Sequence, residues 1–101
     1  MKDTKNYVVS VKRIVDHLGN PIKEEEQYYE YMSYDRYAGA MSTGYPCWDC
    51  LNYANRYETV EAAEEAFNED KKYLGIDRNE HDWSTLAIRK IVLHTKKKLT
   101  V

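Results

Sequence analysis

Hydrophobic and polar positions alternate along three stretches of the chain in the way that strands require. Residues 7–15 alternate with period two and are rich in β-branched side chains, so they are predicted to form a strand. Residues 26–34 and residues 84–94 are predicted to form two more strands. Because Gly, Asn and Pro cluster within residues 16–21, the first two strands are expected to pair as a hairpin.

The second strand carries aromatic side chains on both faces, so its orientation is inferred from its acids. The face that holds two glutamates is predicted to lie in water, and its members are Glu26, Tyr28, Glu30 and Tyr34. Tyr29 and Tyr31 are then expected to point at the core.

A helix is predicted between Thr59 and Gly75. Thr59 is a good N-cap, and Glu61 follows where the helix dipole favours an acid. Gly75 is expected to end the helix in the left-handed conformation. Apolar side chains recur at helical spacing at Val60, Ala63, Phe67 and Leu74.

Together these elements predict an α+β fold, a small antiparallel sheet of three to four strands with one α-helix packed on a face. The order is β-β-(β)-α-β, because periodicity does not decide whether residues 45–57 form a short strand or an irregular cover. Residues 77–82 are expected to be a polar loop, and residues 95–101 a frayed strand end or a solvated basic tail. Residues 1–101 are expected to form a single domain.

Length and composition restrict the class of protein. The 101 residues are 43% hydrophobic and 32% charged, which suits one globular domain and excludes collagen-like or plainly disordered chains. No apolar run approaches the roughly 20 residues of a membrane span. No apolar segment follows the first residues as in a secretory signal. We therefore expect a cytoplasmic protein with no membrane partner.

Charge is divided unevenly along the chain although the net charge is only −2. Residues 21–70 carry 12 acids and 3 bases, a balance of −9, and the remainder carries +7. The pI near 5.9 argues against a dedicated nucleic-acid-binding protein, which usually has a basic domain. Ordinary solvated surface charge accounts for most of this division.

Cys47 and Cys50 form the one recognisable chemical spacing in the chain. Two thiolates at this spacing make half of a tetrahedral zinc site, and no pair of histidines supplies the other half. A redox pair requires the first cysteine at a helix N-terminus, and no helix is predicted there. Two small, half-buried thiols beside Trp48 are therefore expected, with no cofactor, and a zinc-bound or cysteine-linked domain is the alternative.

The sequence contains no signature of catalysis. It has neither a glycine-rich phosphate loop nor a nucleophile elbow. His17, His81 and His94 do not form a paired-ligand spacing and are expected at the surface, although His81 between two acids could act as a base. The protein is accordingly predicted not to be an enzyme.

Tyrosine is the feature that departs most from an ordinary composition. Eight of the ten tyrosines fall within residues 28–57, together with Trp48. Strand propensity and core filling account for such a cluster about as well as a recognition surface does. For the latter, the predicted anchors are Tyr28, Tyr34, Tyr37, Tyr45 and Trp48. Aromatic rings can also stack on single-stranded nucleic acid, but the acidity of this segment opposes that partner, and a small-ligand pocket shares the same residues.

Two segments of the chain resemble a pattern in small, mostly uncharacterised accessory proteins of bacteriophages and prophages of Gram-positive bacteria. The first is Gly44-Tyr45-Pro46-Cys47-Trp48 and the second is Ala54-Asn55-Arg56-Tyr57-Glu58-Thr59-Val60-Glu61-Ala62-Ala63. The resemblance covers about a third of the chain, and Ala62 stands where the first of two paired acids often occurs. Small phage accessory proteins often bind and redirect host or defence proteins. The resemblance therefore implies a non-enzymatic module that binds such a protein through an acidic surface rich in Tyr and Trp.

Overall fold

Five strands and one α-helix follow one another in the structure, a computed structural model that describes residues 5–35, 45–90 and 95–99. They are β1 (Tyr7–Arg13), β2 (Tyr28–Asp35), β3 (Tyr45–Asp49), α1 (Val60–Asp70), β4 (His81–Lys90) and β5 (Thr95–Lys98). The strands form an antiparallel sheet in the order β3-β2-β1-β4-β5. The predicted α+β fold is confirmed. The sheet has one strand more than predicted, because residues 95–98 pair with β4.

The helix begins where its capping residue predicts, but it ends at Asp70, five residues before the predicted cap at Gly75. The Thr59 hydroxyl accepts a hydrogen bond from the Ala62 amide at 3.0 Å. After α1 a 3₁₀ turn at Lys71–Tyr73 continues the chain to Gly75, whose φ of +67° is the predicted left-handed conformation. The described helices are all too short to cross a membrane.

The core lies between α1 and one face of the sheet. Its buried side chains are Val9, Val11, Met32, Ala63, Phe67, Leu74, Leu86, Ile88 and Leu99. Leu99 follows β5 directly and is buried. Residues 95–99 are therefore part of the fold and do not form a solvated tail. Lys97 of β5 forms an ion pair with Glu64 of α1, which joins this edge strand to the helix.

The prediction for the two faces of β2 is wrong. Met32 is fully buried in the core, so Glu30 and Tyr34 lie on the α1 side of the sheet, where Glu30 is half-buried, while Tyr28 and Tyr34 remain exposed as predicted. Tyr29 and Tyr31 lie on the opposite face of the sheet, where both are half-buried. The glutamate misled the prediction because its charge is neutralised inside the fold by Arg13 and His81.

β4 begins earlier than predicted, at His81, and so takes in the end of the expected polar loop. The pairing with β1 shifts register between Ser10 and Lys12, and the Lys12 amide donates to the Thr85 hydroxyl at this irregularity. His81 has 5% of its surface exposed, so the expectation of a surface histidine is wrong for this residue. His17 is exposed as expected, and His94 lies outside the described residues.

The connection between β3 and α1 crosses the sheet. A 3₁₀ turn at Leu51–Tyr53 contacts β2 through a hydrogen bond from the Ser33 hydroxyl to the Tyr53 carbonyl. The chain then lies between β1 and β2, where the Asn55 amide donates to the Met32 carbonyl and Tyr57 exchanges two hydrogen bonds with Tyr7. Residues 50–59 thus connect β3 to α1, which packs on one face of the sheet.

Candidate functional site

A cleft of about 500 Å³ lies between β3 and the turns that follow α1. One wall is Pro46, Cys47 and Trp48 of β3. The other wall is the chain from Lys72 to Gly75, together with Asp77, Arg78 and Glu80. Arg13 and His81 lie at the floor. The cleft therefore gathers residues from β1, β3, β4 and the helix C-terminus, which are far apart in sequence.

Three rings form an aromatic cluster at the base of the cleft, namely Trp48 and His81, which line it, and Trp83, which packs against both. The His81 ring centroid is 5.6 Å from that of Trp48 and 5.2 Å from that of Trp83, and the two indoles are 6.0 Å apart. All three contacts are tilted, which suits the charge distribution of aromatic rings.

Both indoles of the aromatic cluster are fixed by hydrogen bonds to backbone carbonyls of the turns. Trp48 Nε1 donates to Leu74 at 2.9 Å, and Trp83 Nε1 donates to Arg78 at 3.0 Å. The wall formed by the turns is therefore attached to the sheet at two points, and the floor of the cleft is rigid.

A buried charge cluster of Arg13, Glu30 and His81 adjoins the rings. Glu30 Oε1 accepts from His81 Nε2 at 2.7 Å and from an Arg13 nitrogen at 3.2 Å. Burial alone would raise the pKa of Glu30, but the hydrogen bonds and positive charges of His81 and Arg13 outweigh it and hold the pKa below its ordinary value. Arg13 Nε also donates to the Val15 carbonyl at 2.7 Å, so its guanidinium is held in place.

The rim of the cleft is exposed and carries one ring among charges of both signs. Tyr73 has 59% of its surface exposed, and the Lys72 ammonium lies 5.0 Å from its ring centroid. On the same wall, Arg78 approaches Glu80 at 4.0 Å, and this pair is at the surface. A fixed floor beneath an exposed rim of mixed charge is suited to holding another molecule by contact.

The predicted anchors are dispersed in the structure. Trp48 lines the cleft, but it is half-buried and its indole N–H is already bonded to Leu74. Tyr28 and Tyr34 are exposed and lie outside the cleft. Tyr45 begins β3 but its side chain is not among those described, and Tyr37 lies outside the described residues.

Tyr34 is engaged with the helix. Its hydroxyl donates to Asp70 Oδ2 of α1 at 2.5 Å. This hydrogen bond, followed by burial and the negative charge of Asp70, raises the pKa of Tyr34. As an anchor for a partner, Tyr34 would first have to give up this contact.

The sequence reasoning missed Tyr73, His81 and Trp83 as site residues. Tyr73 lies between two lysines and Gly75 in the sequence, so the pattern indicated only a residue of the helix C-terminus. His81 and Trp83 do alternate with the strand period, but the bulge before Leu86 breaks the alternation with Ile88. Had a β-bulge between Trp83 and Leu86 been included in the prediction, residues 81–90 would have been assigned to one strand with His81 and Trp83 on its core face.

The two cysteines differ from each other in the structure. Cys47 is half-buried in the cleft wall as expected, whereas Cys50 is exposed, so the expectation of two half-buried thiols is wrong for Cys50. They are not joined by a disulfide. Within residues 5–35, 45–90 and 95–99, no group of three or more His, Cys, Asp or Glu side chains is arranged to hold a metal ion. The zinc-bound alternative remains a hypothesis that a zinc measurement would decide.

Comparison of this chain with protein-family models, with curated proteins and with solved structures found no match. The functional assignment therefore depends on the geometry of the cleft and on the chemistry of its residues.

Proposed function

We propose that this protein is a non-enzymatic binding module that captures another protein at the cleft between β3 and the turns after α1. The observation that carries the proposal is the combination of a fixed aromatic floor with an exposed rim that holds Tyr73. Tryptophan, tyrosine and arginine, which Trp48, Tyr73 and Arg78 supply here, are the residue types enriched in binding hot spots. Because the resemblance to phage accessory proteins implies it, the proposed partner is a host or defence protein of a Gram-positive bacterium.

The polar groups at the floor are bonded to one another. His81 Nε2 is bonded to Glu30, and the Arg13 guanidinium is bonded to Glu30 and to the Val15 carbonyl. These contacts hold the floor of the cleft in place, which favours a preformed binding surface.

The test compares two exposed tyrosines on different surfaces. Tagged protein is used to capture partners from a nuclease-treated lysate of a Gram-positive host, with Tyr73→Ala as the cleft variant and Tyr53→Ala as the matched control. Tyr53 has 68% of its surface exposed and lies outside the cleft. We expect Tyr73→Ala to weaken capture about tenfold, which corresponds to roughly 1.4 kcal/mol, and Tyr53→Ala to leave it unchanged.

Thermal unfolding of both variants serves as the folding control. Equal capture by the two variants, or a partner that disappears with nuclease, contradicts the proposal. Tyr37→Ala and Tyr45→Ala extend the series to the two predicted anchors whose side chains are not described. Loss of capture there with the melting temperature preserved would extend the interface beyond the cleft.

The size of the cleft favours a second candidate, a small-ligand-binding protein. A volume of about 500 Å³ falls in the range of small-molecule sites. Native mass spectrometry of freshly purified protein distinguishes the two candidates. A bound small molecule adds a small, defined mass to the protein, whereas a bound partner protein adds a mass of several kilodaltons or more. A bound molecule released by Tyr73→Ala would favour this second candidate.

A further inference from the structure

The face of the sheet opposite α1 carries a second concentration of aromatic and basic side chains. We call it the open face and define it by Ser10, which is fully buried, and by the half-buried Lys12, Tyr29, Tyr31 and Arg89. Lys12 is in register with Tyr29, and Ser10 with Tyr31. These residues alternate along β1 and β2 with the core residues, so they point away from the helix.

Two cations share one ring on the open face. The Arg89 guanidinium carbon lies 4.6 Å from the Tyr29 ring centroid, and the Lys12 ammonium lies 5.9 Å from the same centroid. Arg89 is fixed across the sheet, because it donates to the Ser10 hydroxyl at 2.7 Å and to the Thr85 carbonyl at 2.9 Å. The guanidinium plane therefore has a defined position.

Neither of these two cations forms an ion pair with a carboxylate that the structure describes. Arg13, Arg78 and Lys97 each lie within 4.0 Å of a glutamate. Of the carboxylates that the structure describes, none comes within that distance of Lys12 or Arg89. Because both are half-buried, a counter-anion would relieve a real desolvation cost.

Two acids border the open face without neutralising it. Asp82 is in register with Lys12, but its Oδ1 accepts hydrogen bonds from the amide and hydroxyl of Ser84. Asp49 is in register with Tyr31 at the β3 edge, and its Oδ1 accepts from the Cys50 amide. Two cations and two carboxylates thus share this face, with Lys12 and Arg89 near its centre and the acids at two of its margins.

Nucleic acid was not expected as a partner because the tyrosine-rich segment is acidic. In the fold, one of the acids of this segment, Glu30, lies on the opposite face of the sheet from Tyr29 and Tyr31. Glu30 lies between Tyr29 and Tyr31 in the chain, but it points to the other face and is neutralised there by Arg13 and His81. The Tyr29 ring is left with lysine and arginine as its immediate neighbours.

We propose that the open face binds single-stranded nucleic acid, with phosphates at Lys12 and Arg89 and bases stacked on the Arg89 guanidinium and on Tyr31. Sheet faces that combine rings with basic residues bind single strands by stacking and by backbone neutralisation. Because the protein is acidic overall, binding is weak, with a Kd on the order of 10 to 100 µM, and depends strongly on salt. This site goes beyond the proposed protein-binding cleft and lies on the other side of the sheet from it.

The test measures fluorescence anisotropy of labelled 12-nucleotide oligo-dT and oligo-U at low salt. Lys12→Ala is expected to weaken binding about fivefold and to lower the slope of log Kd against log salt by about one. Lys72→Ala is the matched control, since Lys72 also lies against a tyrosine but belongs to the cleft rim. It should bind as the wild type does. Tyr29→Leu, a second variant that keeps a large apolar side chain, should also weaken binding.

Amide chemical shifts locate the site. Oligo-dT is expected to shift the amides of Ser10, Tyr31 and Arg89 and to leave those of Lys72–Gly75 unchanged. Three results would overturn the proposal: no binding at about 1 mM strand, an equal effect of Lys72→Ala, or shifts confined to the cleft. Inorganic phosphate at the same phosphate concentration is the further arm. Equal shifts with phosphate alone would also overturn it, because the face would then take an anion and not a strand.

Discussion

Glu30 is the residue on which the charge balance of the cleft floor depends. It bonds to His81 and to Arg13 from the middle of β2, where both positive partners come from other strands. Because these partners stabilise the ionised carboxylate more than burial destabilises it, the pKa of Glu30 in the folded protein lies below the ordinary 4.5. Folding therefore favours the charged form.

The acid sensitivity of the protein follows from this direction. A depressed carboxylate pKa contributes stability that is fully present above pH 4.5 and is lost as the pH falls through the folded-state value. Glu30→Gln should destabilise the protein by about 2 kcal/mol at pH 7, because it leaves the largely buried Arg13 with only the more distant Glu80 carboxylate, at 3.9 Å. It should also lose less stability than the wild type as the pH falls below 4.5.

Urea unfolding at several pH values measures both effects. Glu64→Gln is the control, since Glu64 pairs with Lys97 at the surface and should cost at most about 1 kcal/mol. If Glu30→Gln and the wild type show the same acid limb, the floor is not held by this carboxylate.

Residues with local roles were predictable from sequence and residues with distant partners were not. Thr59 and Gly75 satisfy requirements of the backbone within a few residues, so their types alone indicate what they do. Glu30 and His81 are 51 positions apart, and each reads as a surface residue until the other is brought beside it. Tyr73 became a site residue because β3 lies opposite it, which no local pattern contains.

Among the elements, β3 is the short edge strand that forms one wall of the cleft. The Trp48 indole binds it to the turn after α1 through the Leu74 carbonyl. The same ring packs against the core and against His81. One side chain thus sets the width of the cleft.

Replacing Trp48 by Phe should remove the hydrogen bond and keep a ring in place. We expect a loss of about 1 to 2 kcal/mol and faster amide exchange at Leu74 and Gly75. Trp83→Phe is the matched change, because it frees the Arg78 carbonyl instead and should quicken exchange nearer to Arg78. Identical exchange patterns in the two variants would show that the indoles do not act on separate parts of the wall.

At the β5 edge of the sheet, stability is expected to depend more on Leu99, which lies in the core, than on the surface residues of the strand. Leu99→Ala should destabilise the protein by about 2 to 4 kcal/mol, as expected for a buried leucine. Lys97→Ala should cost less than about 1 kcal/mol, since it removes a surface ion pair. Thermal melts compare the two. A change at Leu99 as small as that at Lys97 would mean that this end of the chain is solvated after all.

At the scale of the whole molecule, the uneven charge of the sequence becomes a division across the sheet. The acidic central block supplies β2, β3 and α1, and the basic remainder supplies β1, β4 and β5. Sequence alone gave the size of this division but not its geometry, because β1 pairs with β2 on one side and with β4 on the other. Basic and acidic strands are therefore neighbours at the centre of the sheet. The two proposed surfaces, on opposite faces, could be occupied at the same time.

The passage of residues 55–57 between β1 and β2 has a consequence for the order in which the chain folds. The β1–β2 hairpin can form its Ser10–Arg13 pairings early, because only residues 14–27 separate the two strands and these pairings are local compared with those of β4. The other end of β1 must wait for Tyr57, whose two hydrogen bonds to Tyr7 complete that edge. The Tyr7 end of β1 therefore stays unpaired with this connection until residues 55–57 have folded against it. The rate of folding should then depend on the rate at which the β3–α1 connection forms these hydrogen bonds.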